Sequence, residues 1–194
     1  MLSSVKYALV AASLVLASSM AEARPVKIVA FGDSGIAGKG VSAGENMPAK
    51  LEAALRAKGY DVQVVNAGIN GDTIDGALGR VGVTHGADIV IVQVGVNDLR
   101  KGASPSEVRA GMRRLVNAIR QGGAQVIVTG FRGFHGCSIK ATRCQSDMYE
   151  GTSRYRIDAA GHISPAGYDR VVSRLLSRVE PLVKTKAAIL SRKT

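Results

Sequence analysis

Four short apolar runs are spaced along the chain, separated by longer segments with a different pattern. Residues 26–31 and 87–94 are almost continuously apolar, and shorter runs of the same kind occupy residues 62–65 and 125–129. Runs of this length and composition are typical of strands that are buried on both faces of a sheet. The pattern therefore predicts four strands that alternate with other elements.

Two of the intervening segments have the features of helices. Residues 47–58 are rich in Ala, Leu, Glu and Lys, which favour helix, and Gly59 follows as a stop signal. The second segment begins with Ser104 as N-cap, a proline follows at the first helical position, and Glu107 completes a capping box. Its apolar residues recur on one face as far as the glycines at 122–123.

A third helix is predicted from Pro165 onward, with apolar residues at helical spacing up to residue 179. Pro181 is expected to disturb this helix because proline lacks a backbone N–H, and the basic residues 184–194 are expected to form a frayed tail. Strands that alternate with helices favour a parallel sheet covered on both faces. Because no repeat or low-complexity linker divides the chain, we expect a single domain.

The composition is that of a globular protein with an unusual charge. Of the 194 residues, 46% are hydrophobic and 21% are charged, which excludes a disordered chain. Aromatic residues make up only 4%, with no Trp, so a stacking surface for bases or sugars is not expected. The 26 Lys and Arg against 15 Asp and Glu give a net charge of +11. This charge is compatible with nucleic acid, an anionic membrane or an acidic envelope polymer, and by itself favours none of them.

Residues 1–23 have the layout of a secretory signal peptide. Lys6 precedes a short apolar stretch, and small residues follow up to an A-x-A cleavage site that ends at Ala23. The apolar stretch is short for a permanent membrane anchor, although an uncleaved anchor is the alternative. Cleavage would leave residues 24–194 as the mature domain, still at +11 because the signal holds one Lys and one Glu. A periplasmic or secreted location is therefore expected.

The two cysteines, Cys137 and Cys144, fit an oxidising compartment. They lie in a polar stretch, and the chain has no CxxC pair for a zinc site. A disulfide between them would close a short loop and stabilise the fold by about 2 kcal/mol in the chain-entropy model. Two free thiols are the alternative, and no surrounding motif indicates a catalytic cysteine.

Three short motifs directly follow predicted strands, where parallel sheets bind their ligands. Ser34 lies in F-G-D-S-G after the first strand, where a nucleophile would be exposed at the edge of the sheet. Gly71 lies in N-A-G-I-N-G-D-T after the second strand, and Asn97 lies in G-V-N-D after the third. Both could present N–H donors at the same edge. Each motif taken alone is also compatible with a plain turn.

His162 is the candidate base for such a nucleophile. It lies just before the last predicted helix, and Asp158 lies four residues upstream. A catalytic base needs an orienting group, and the other histidines, His85 and His135, have no carboxylate close by in a preorganised loop. The pairing with Asp158 therefore favours His162.

Together, these residues resemble the SGNH superfamily of GDSL-type hydrolases, which is named after the Ser, Gly, Asn and His of its four blocks. The resemblance extends from residue 26 to residue 172, with the blocks in the family's order at strand ends. It is closest to small secreted esterases, thioesterases and lysophospholipases. The resemblance implies a three-layer α/β/α, flavodoxin-like fold with a mainly parallel sheet of four to five strands.

The resemblance also implies a role for each site residue. Ser34 would be the nucleophile, His162 the general base and then acid, and Asp158 the orienting carboxylate. The N–H groups of Ser34 and Gly71 and the side chain of Asn97 would form the oxyanion hole. No metal or organic cofactor is required.

Two departures from the family pattern concern the site itself. The family's leucine after the serine is Gly35 here, which is expected to loosen the turn. The family's aspartate lies three residues before the histidine, whereas Asp158 lies four before it. If Asp158 does not reach the imidazole, Asp147, Glu150 or a backbone carbonyl are the alternatives, or the histidine works without a carboxylate.

A third departure is the short segment between residues 131 and 158. It lacks the length for the family's usual helix and a full fifth strand. We therefore expect the cysteine loop to replace part of that layer, with residues 155–157 as a short edge strand.

These features predict a secreted serine esterase that acts on small or lipid-like acyl esters or thioesters. An O-acetylesterase of an envelope polysaccharide is the alternative enzyme, and a non-catalytic binding protein on the same fold is a third hypothesis. Scattered charges and export argue against a nucleic-acid partner, so the +11 is interpreted as attraction to an anionic envelope surface or substrate. No stable membrane anchor is expected after cleavage.

Overall fold

A five-stranded parallel sheet forms the centre of the protein in a computed structural model that describes residues 24–192. The strands are β1 (Val26–Gly32), β2 (Val62–Gly68), β3 (Ile89–Gln93), β4 (Gln125–Thr129) and β5 (Arg143–Gln145). Their order across the sheet is β2-β1-β3-β4-β5, and every neighbouring pair is parallel. This is the strand order of flavodoxin-like folds, which confirms the predicted fold class.

The described chain also has six α-helices, in two layers around the sheet. They are α1 (Ser34–Ala37), α2 (Met47–Ala57), α3 (Ile74–Gly79), α4 (Val96–Arg100), α5 (Pro105–Gln121) and α6 (Pro165–Leu190). Successive residues of β1 point to opposite faces: Ile28 packs with buried residues of α2 and α6, and Val29 packs with those of α3 and α5. The predicted capping box of Ser104 and Glu107 begins α5 as expected.

Helix α6 continues well beyond the point at which the sequence pattern ends it. Pro181 lies inside the helix, and Leu182 and Val183 are buried against the core directly after it. Lys186 forms an ion pair of 3.0 Å with the buried carboxylate of Asp88. The prediction of a frayed tail from residue 184 is therefore wrong as far as residue 190, because tertiary packing offsets the hydrogen bond that proline removes.

The fifth strand lies in the cysteine segment, at Arg143–Gln145, where the sequence analysis did not predict a strand. Cys144 is in β5 and forms a disulfide with Cys137, which confirms the predicted bond. The predicted strand at 155–157 is wrong: Ser153–Tyr155 is a 3-10 turn, and Arg156 forms only an isolated antiparallel bridge with Ile163. The sheet thus ends at β5.

The predicted signal peptide at residues 1–23 lies outside the described residues. Arg24, the first residue after it, forms an ion pair of 2.7 Å with Asp88. Burial opposes the ionisation of Asp88, but hydrogen bonds from Arg24, Lys186 and the N–H of Lys27 outweigh it and lower its pKa to about 2. Between residues 24 and 192, no helix has the length and apolar character needed to cross a membrane.

Candidate active site

The carboxyl ends of β1, β2 and β3 lie at the same level of the sheet. Gly32 at the end of β1 pairs in register with Gly68 of β2 and with Gln93 of β3. Because β1 lies between the other two strands, the loops that follow them begin side by side. The structure therefore brings the motifs that carry Ser34, Gly71 and Asn97 to one edge of the sheet.

Ser34 is the first residue of α1, directly after the sharp turn that follows β1. Asp33 caps the helix, and its carboxylate accepts a hydrogen bond of 3.0 Å from the N–H of Gly35. A Cβ atom on Gly32 would lie only 1.8 Å from the carbonyl oxygen of Gln93, so only glycine allows this close approach. The turn holds the Ser34 hydroxyl above the end of the strand.

A chain of hydrogen bonds joins Ser34 to residues that lie more than a hundred positions away. The Ser34 Oγ is 2.8 Å from Nε2 of His162, and Nδ1 of the same imidazole is 2.5 Å from Oδ2 of Asp158. Asp158 also accepts a bond of 3.0 Å from the backbone N–H of His162. A hydroxyl, an imidazole and a carboxylate in this order form the arrangement that activates a serine nucleophile.

The one-residue displacement of Asp158 does not separate it from His162. A turn between them, closed by a bond of 3.1 Å from the N–H of Gly161 to the carbonyl of Asp158, shortens the path. The hydrogen bond from His162 lowers the pKa of Asp158, so the carboxylate is ionised near neutral pH. The alternatives have other partners: Asp147 accepts from the N–H of Tyr149, and Glu150 pairs with Arg174.

Asn97 is hydrogen-bonded to Asp72, the residue that directly follows Gly71 in its motif. Gly71 has a φ of 79°, in the left-handed region that glycine adopts without strain. The Asn97 side chain donates a hydrogen bond of 2.9 Å from Nδ2 to the carbonyl oxygen of Asp72. The second Nδ2 hydrogen of Asn97 has no acceptor among the described residues, so it is available to a ligand.

Arg80 holds this loop in place, and the sequence analysis missed it. Its guanidinium donates to Asp72 Oδ2 at 2.5 Å and to the carbonyl oxygen of Gly32 at 3.0 Å. It also lies over the Phe31 ring, 4.3 Å from the centroid. No local signal marks this arginine, because its partners come from the ends of β1 and from the Gly71 loop.

The sequence analysis also missed Gln93, which lies beneath Ser34 with its partners Asp33 and Tyr149. Gln93 donates to Asp33 at 3.1 Å and accepts from the Tyr149 hydroxyl at 3.4 Å. Burial raises the pKa of Asp33 to about 6, although the Gly35 and Gln93 hydrogen bonds oppose this.

A Cβ on Gly35 would lie 1.8 Å from the Tyr149 hydroxyl oxygen, and Tyr168 donates to the Gly35 carbonyl at 3.0 Å. The glycine therefore makes room for Tyr149, and a looser turn at this position stays a prediction.

An open cavity of about 490 Å³ lies beside Ser34 and His162. Its walls include Tyr149 and three arginines, and Gly71 and Asn97 do not line it. His85 and His135 do not line it either, whereas His162 does. The cavity thus offers space for a substrate next to the Ser34 hydroxyl.

A flavodoxin-like sheet with serine, glycine, asparagine and histidine motifs at its carboxyl edge defines the SGNH-hydrolase fold. The profile of the GDSL-like Lipase/Acylhydrolase family matches residues 30–156, and the chain belongs to this family.

Among the known proteins that are similar to this chain are two curated esterases and one solved esterase structure. The chain is 32% identical to "Esterase TesA" of Pseudomonas aeruginosa over 123 residues and 31% identical to "Arylesterase" of Vibrio mimicus over 109 residues. These matches cover 62% and 55% of this chain, and 60% and 54% of the two relatives. Among solved structures, AlinE4, an SGNH-hydrolase family esterase, is 28% identical with a TM-score of 0.61. That match covers 84% of this chain and 98% of AlinE4.

Proposed function

We propose that this protein is a serine ester hydrolase with Ser34 as its nucleophile. The observation that carries the proposal is the unbroken hydrogen-bonded chain from Ser34 through His162 to Asp158. Membership of the GDSL-like family and the esterase names of its relatives support the same chemistry. These intact hydrogen bonds between Ser34, His162 and Asp158 argue against a non-catalytic binding protein.

The reaction takes place in two half-reactions. In the first, Ser34 Oγ attacks the ester carbonyl while its proton passes to Nε2 of His162, and collapse of the tetrahedral intermediate breaks the bond to the alcohol. The alcohol leaves with the proton from His162, and the acyl group remains on Ser34. In the second, His162 takes a proton from water, the hydroxide attacks the acyl-enzyme, and the acid leaves as Ser34 recovers its proton. Asp158 stabilises the imidazolium in both.

The oxyanion that forms in each half-reaction needs hydrogen-bond donors. We assign this role to the N–H groups of Ser34 and Gly71 and to the Nδ2 of Asn97, whose free hydrogen has no other acceptor among the described residues. A preorganised donor of this kind contributes roughly 3 kcal/mol to transition-state stabilisation. Arg80 acts through Asp72 to position the Gly71 loop.

Labelling with a fluorophosphonate tests the proposed nucleophile directly. The reagent phosphonylates an activated serine with loss of fluoride, so one equivalent is expected to abolish hydrolysis of 4-nitrophenyl butyrate. Peptide mapping by mass spectrometry should locate the single adduct on Ser34. Hydrolysis that persists in fully labelled protein, or an adduct on another residue, would show that a different group is the nucleophile.

Replacing Asn97 with alanine is expected to lower kcat by about 10²- to 10³-fold, with KM nearly unchanged, because the lost donor acts on the oxyanion. Steady-state kinetics on 4-nitrophenyl butyrate measure this split. Asn117→Ala, an exposed change on α5, is the matched control and should behave as the wild type. A rise in KM of about 10²- to 10³-fold with kcat unchanged would contradict the oxyanion role of Asn97.

The substrates that we propose are small or lipid-like acyl esters. Thioesters would react through the same steps, with a thiol in place of the alcohol. An O-acetylesterase acting on an envelope polysaccharide uses the same chemistry, but the cavity of about 490 Å³ is matched to a small ester and not to a long glycan. We therefore retain the small-ester esterase as the function.

We also propose export of the protein to the periplasm or the medium after cleavage of residues 1–23. The Cys137–Cys144 disulfide supports this, because such bonds persist in oxidising compartments. The net charge of +11 would then favour an anionic envelope surface over nucleic acid.

A further inference from the structure

Two arginines in the wall of the cavity have no partner for their charge. Arg132 and Arg156 both line the space beside Ser34 and His162, and both are exposed. Neither guanidinium makes a hydrogen bond or an ion pair with any other residue between 24 and 192. An arginine whose planar head has no partner in a cavity is available to bind a carboxylate or a phosphate through two parallel N–H donors.

The backbone that carries Arg132 is held firmly. The residue lies in a tight turn whose ends, Phe131 and Phe134, exchange two backbone hydrogen bonds of 3.0 and 2.7 Å. The rings of these phenylalanines are stacked, with centroids 5.2 Å apart, and Gly133 provides the left-handed position with a φ of 85°. Arg132 therefore projects from a fixed point at the end of β4.

The backbone that carries Arg156 is held against the segment that carries the catalytic base. The N–H of Ile157 donates to the carbonyl of His162 at 2.9 Å, and the N–H of Ser164 donates to the carbonyl of Tyr155 at 2.8 Å. These two bonds flank Arg156 and fix it relative to His162. A group bound by Arg156 would therefore be held close to the reacting atoms.

The three carboxylates of the cavity wall form no ion pair with Arg132 or Arg156. Asp33 is engaged with Gly35 and Gln93, Glu150 with Arg174, and Asp147 with the N–H of Tyr149. The wall contains a third guanidinium, from Arg100, whose hydrogen bonds go to the carbonyl of Ala160 at 2.7 Å and to the Asn97 side chain. None of the three arginines forms an ion pair with a described residue, so the guanidinium groups of Arg132 and Arg156 are available to an anionic ligand.

We propose that this cavity selects esters that carry an anionic group, which Arg132 and Arg156 bind while Ser34 attacks the carbonyl. The inference rests on the esterase function proposed above and names its substrate class. An anion gains charge-assisted hydrogen bonds from these two residues, whereas a neutral group of the same shape gains none. The alternative, that the two arginines only contribute to the general positive charge of the surface, predicts no selectivity at the active site.

Two pairs of chromogenic esters test the selectivity, and each pair compares a free carboxylate with its methyl ester. For the acyl side, mono-4-nitrophenyl adipate is compared with its methyl ester. For the alcohol side, 4-acetoxy-3-nitrobenzoate is compared with its methyl ester. The wild type is expected to have a kcat/KM at least about tenfold higher for the anionic member of one pair. The pair that shows the preference identifies the side of the substrate on which the anion lies.

Variants of the two arginines then assign the preference to the cavity. Arg132→Gln and Arg156→Gln are each expected to reduce the anionic-to-neutral ratio of kcat/KM about five- to tenfold, and the double variant should bring it close to one. Arg178→Gln, an exposed change on α6 with the same loss of charge, should leave both rates and their ratio as in the wild type. Thermal melting confirms that each variant is folded.

A wild-type ratio near one in both pairs, or an unchanged ratio in the double variant, would overturn the inference while the esterase function stands. If the wild type hydrolyses none of the four esters, the esterase proposal is overturned, and the substrate class with it. Salt provides a further readout, since added NaCl should lower kcat/KM for the anionic ester more than for its neutral partner.

Discussion

The Ser34→Ala variant is expected to hydrolyse 4-nitrophenyl butyrate with a kcat about 10⁴- to 10⁶-fold below that of the wild type. The change removes the atom that we propose attacks the carbonyl, and the imidazole 2.8 Å away is not expected to replace it as a covalent nucleophile. The proposed oxyanion donors remain, so water attack assisted by His162 is expected to leave a small residual rate. The expected loss corresponds to about 5 to 8 kcal/mol of transition-state stabilisation.

The measurement must separate lost chemistry from lost structure. Ser34→Ala removes one hydroxyl, so its melting temperature should lie within a few degrees of that of the wild type. Ser173→Ala, an exposed change on α6, is the matched control and should retain full activity. Activity above about a tenth of the wild-type value in purified Ser34→Ala protein would rule out Ser34 as the nucleophile.

The Asp158→Asn variant is expected to lower kcat by about 10²- to 10³-fold, with KM nearly unchanged. Asp158 accepts the Nδ1 hydrogen of His162 at 2.5 Å, which leaves Nε2 without a proton and ready to accept one from Ser34. An amide can present N–H to Nδ1 and favour the wrong tautomer, and it does not stabilise the imidazolium. Because the Asp158 side chain is 40% exposed, water screens part of its charge, and the loss is smaller than for a buried carboxylate.

Steady-state kinetics with the Asp169→Asn variant as control test this assignment. Asp169 is on α6 and pairs with Lys50 on the surface, so its replacement should leave kcat unchanged. A normal rate in Asp158→Asn, combined with a large loss in Asp147→Asn or Glu150→Gln, would assign the orienting role to one of those alternatives. Equal activity in all of these variants would indicate that His162 works without a carboxylate.

Much of the fold could be predicted because its signals are local. The apolar runs that predicted β1 to β4 reflect burial on both faces, and the Ser104 and Glu107 caps reflect hydrogen bonds within a single turn of α5. The short helices α1, α3 and α4 were not predicted, since four to six residues are too few to show a helical period. β5 has only three residues, too few to show a strand pattern in the sequence. Its extended conformation is instead recognised by its parallel pairing with β4.

Much of the candidate site was also predictable, because Ser34, Gly71 and Asn97 each follow a strand in a recognisable motif. Their neighbours were not predictable. Arg80 and Tyr149 have no distinguishing sequence context, and each contacts the site through groups from other elements. Gly35 shows the difference clearly, because its departure from the family pattern makes sense only when the Tyr149 hydroxyl is seen beside it.

The sequence by itself determined the alternation of strands and helices and the carboxyl-edge placement of three motifs. The tertiary structure alone decided that His162 reaches Ser34 across 128 positions, that α6 passes through Pro181, and that Arg132 and Arg156 meet at one cavity. The physical reason is the range of the interactions. Periodicity and caps act within a few residues, whereas the site and its charge depend on contacts between segments that only the folded sheet brings together.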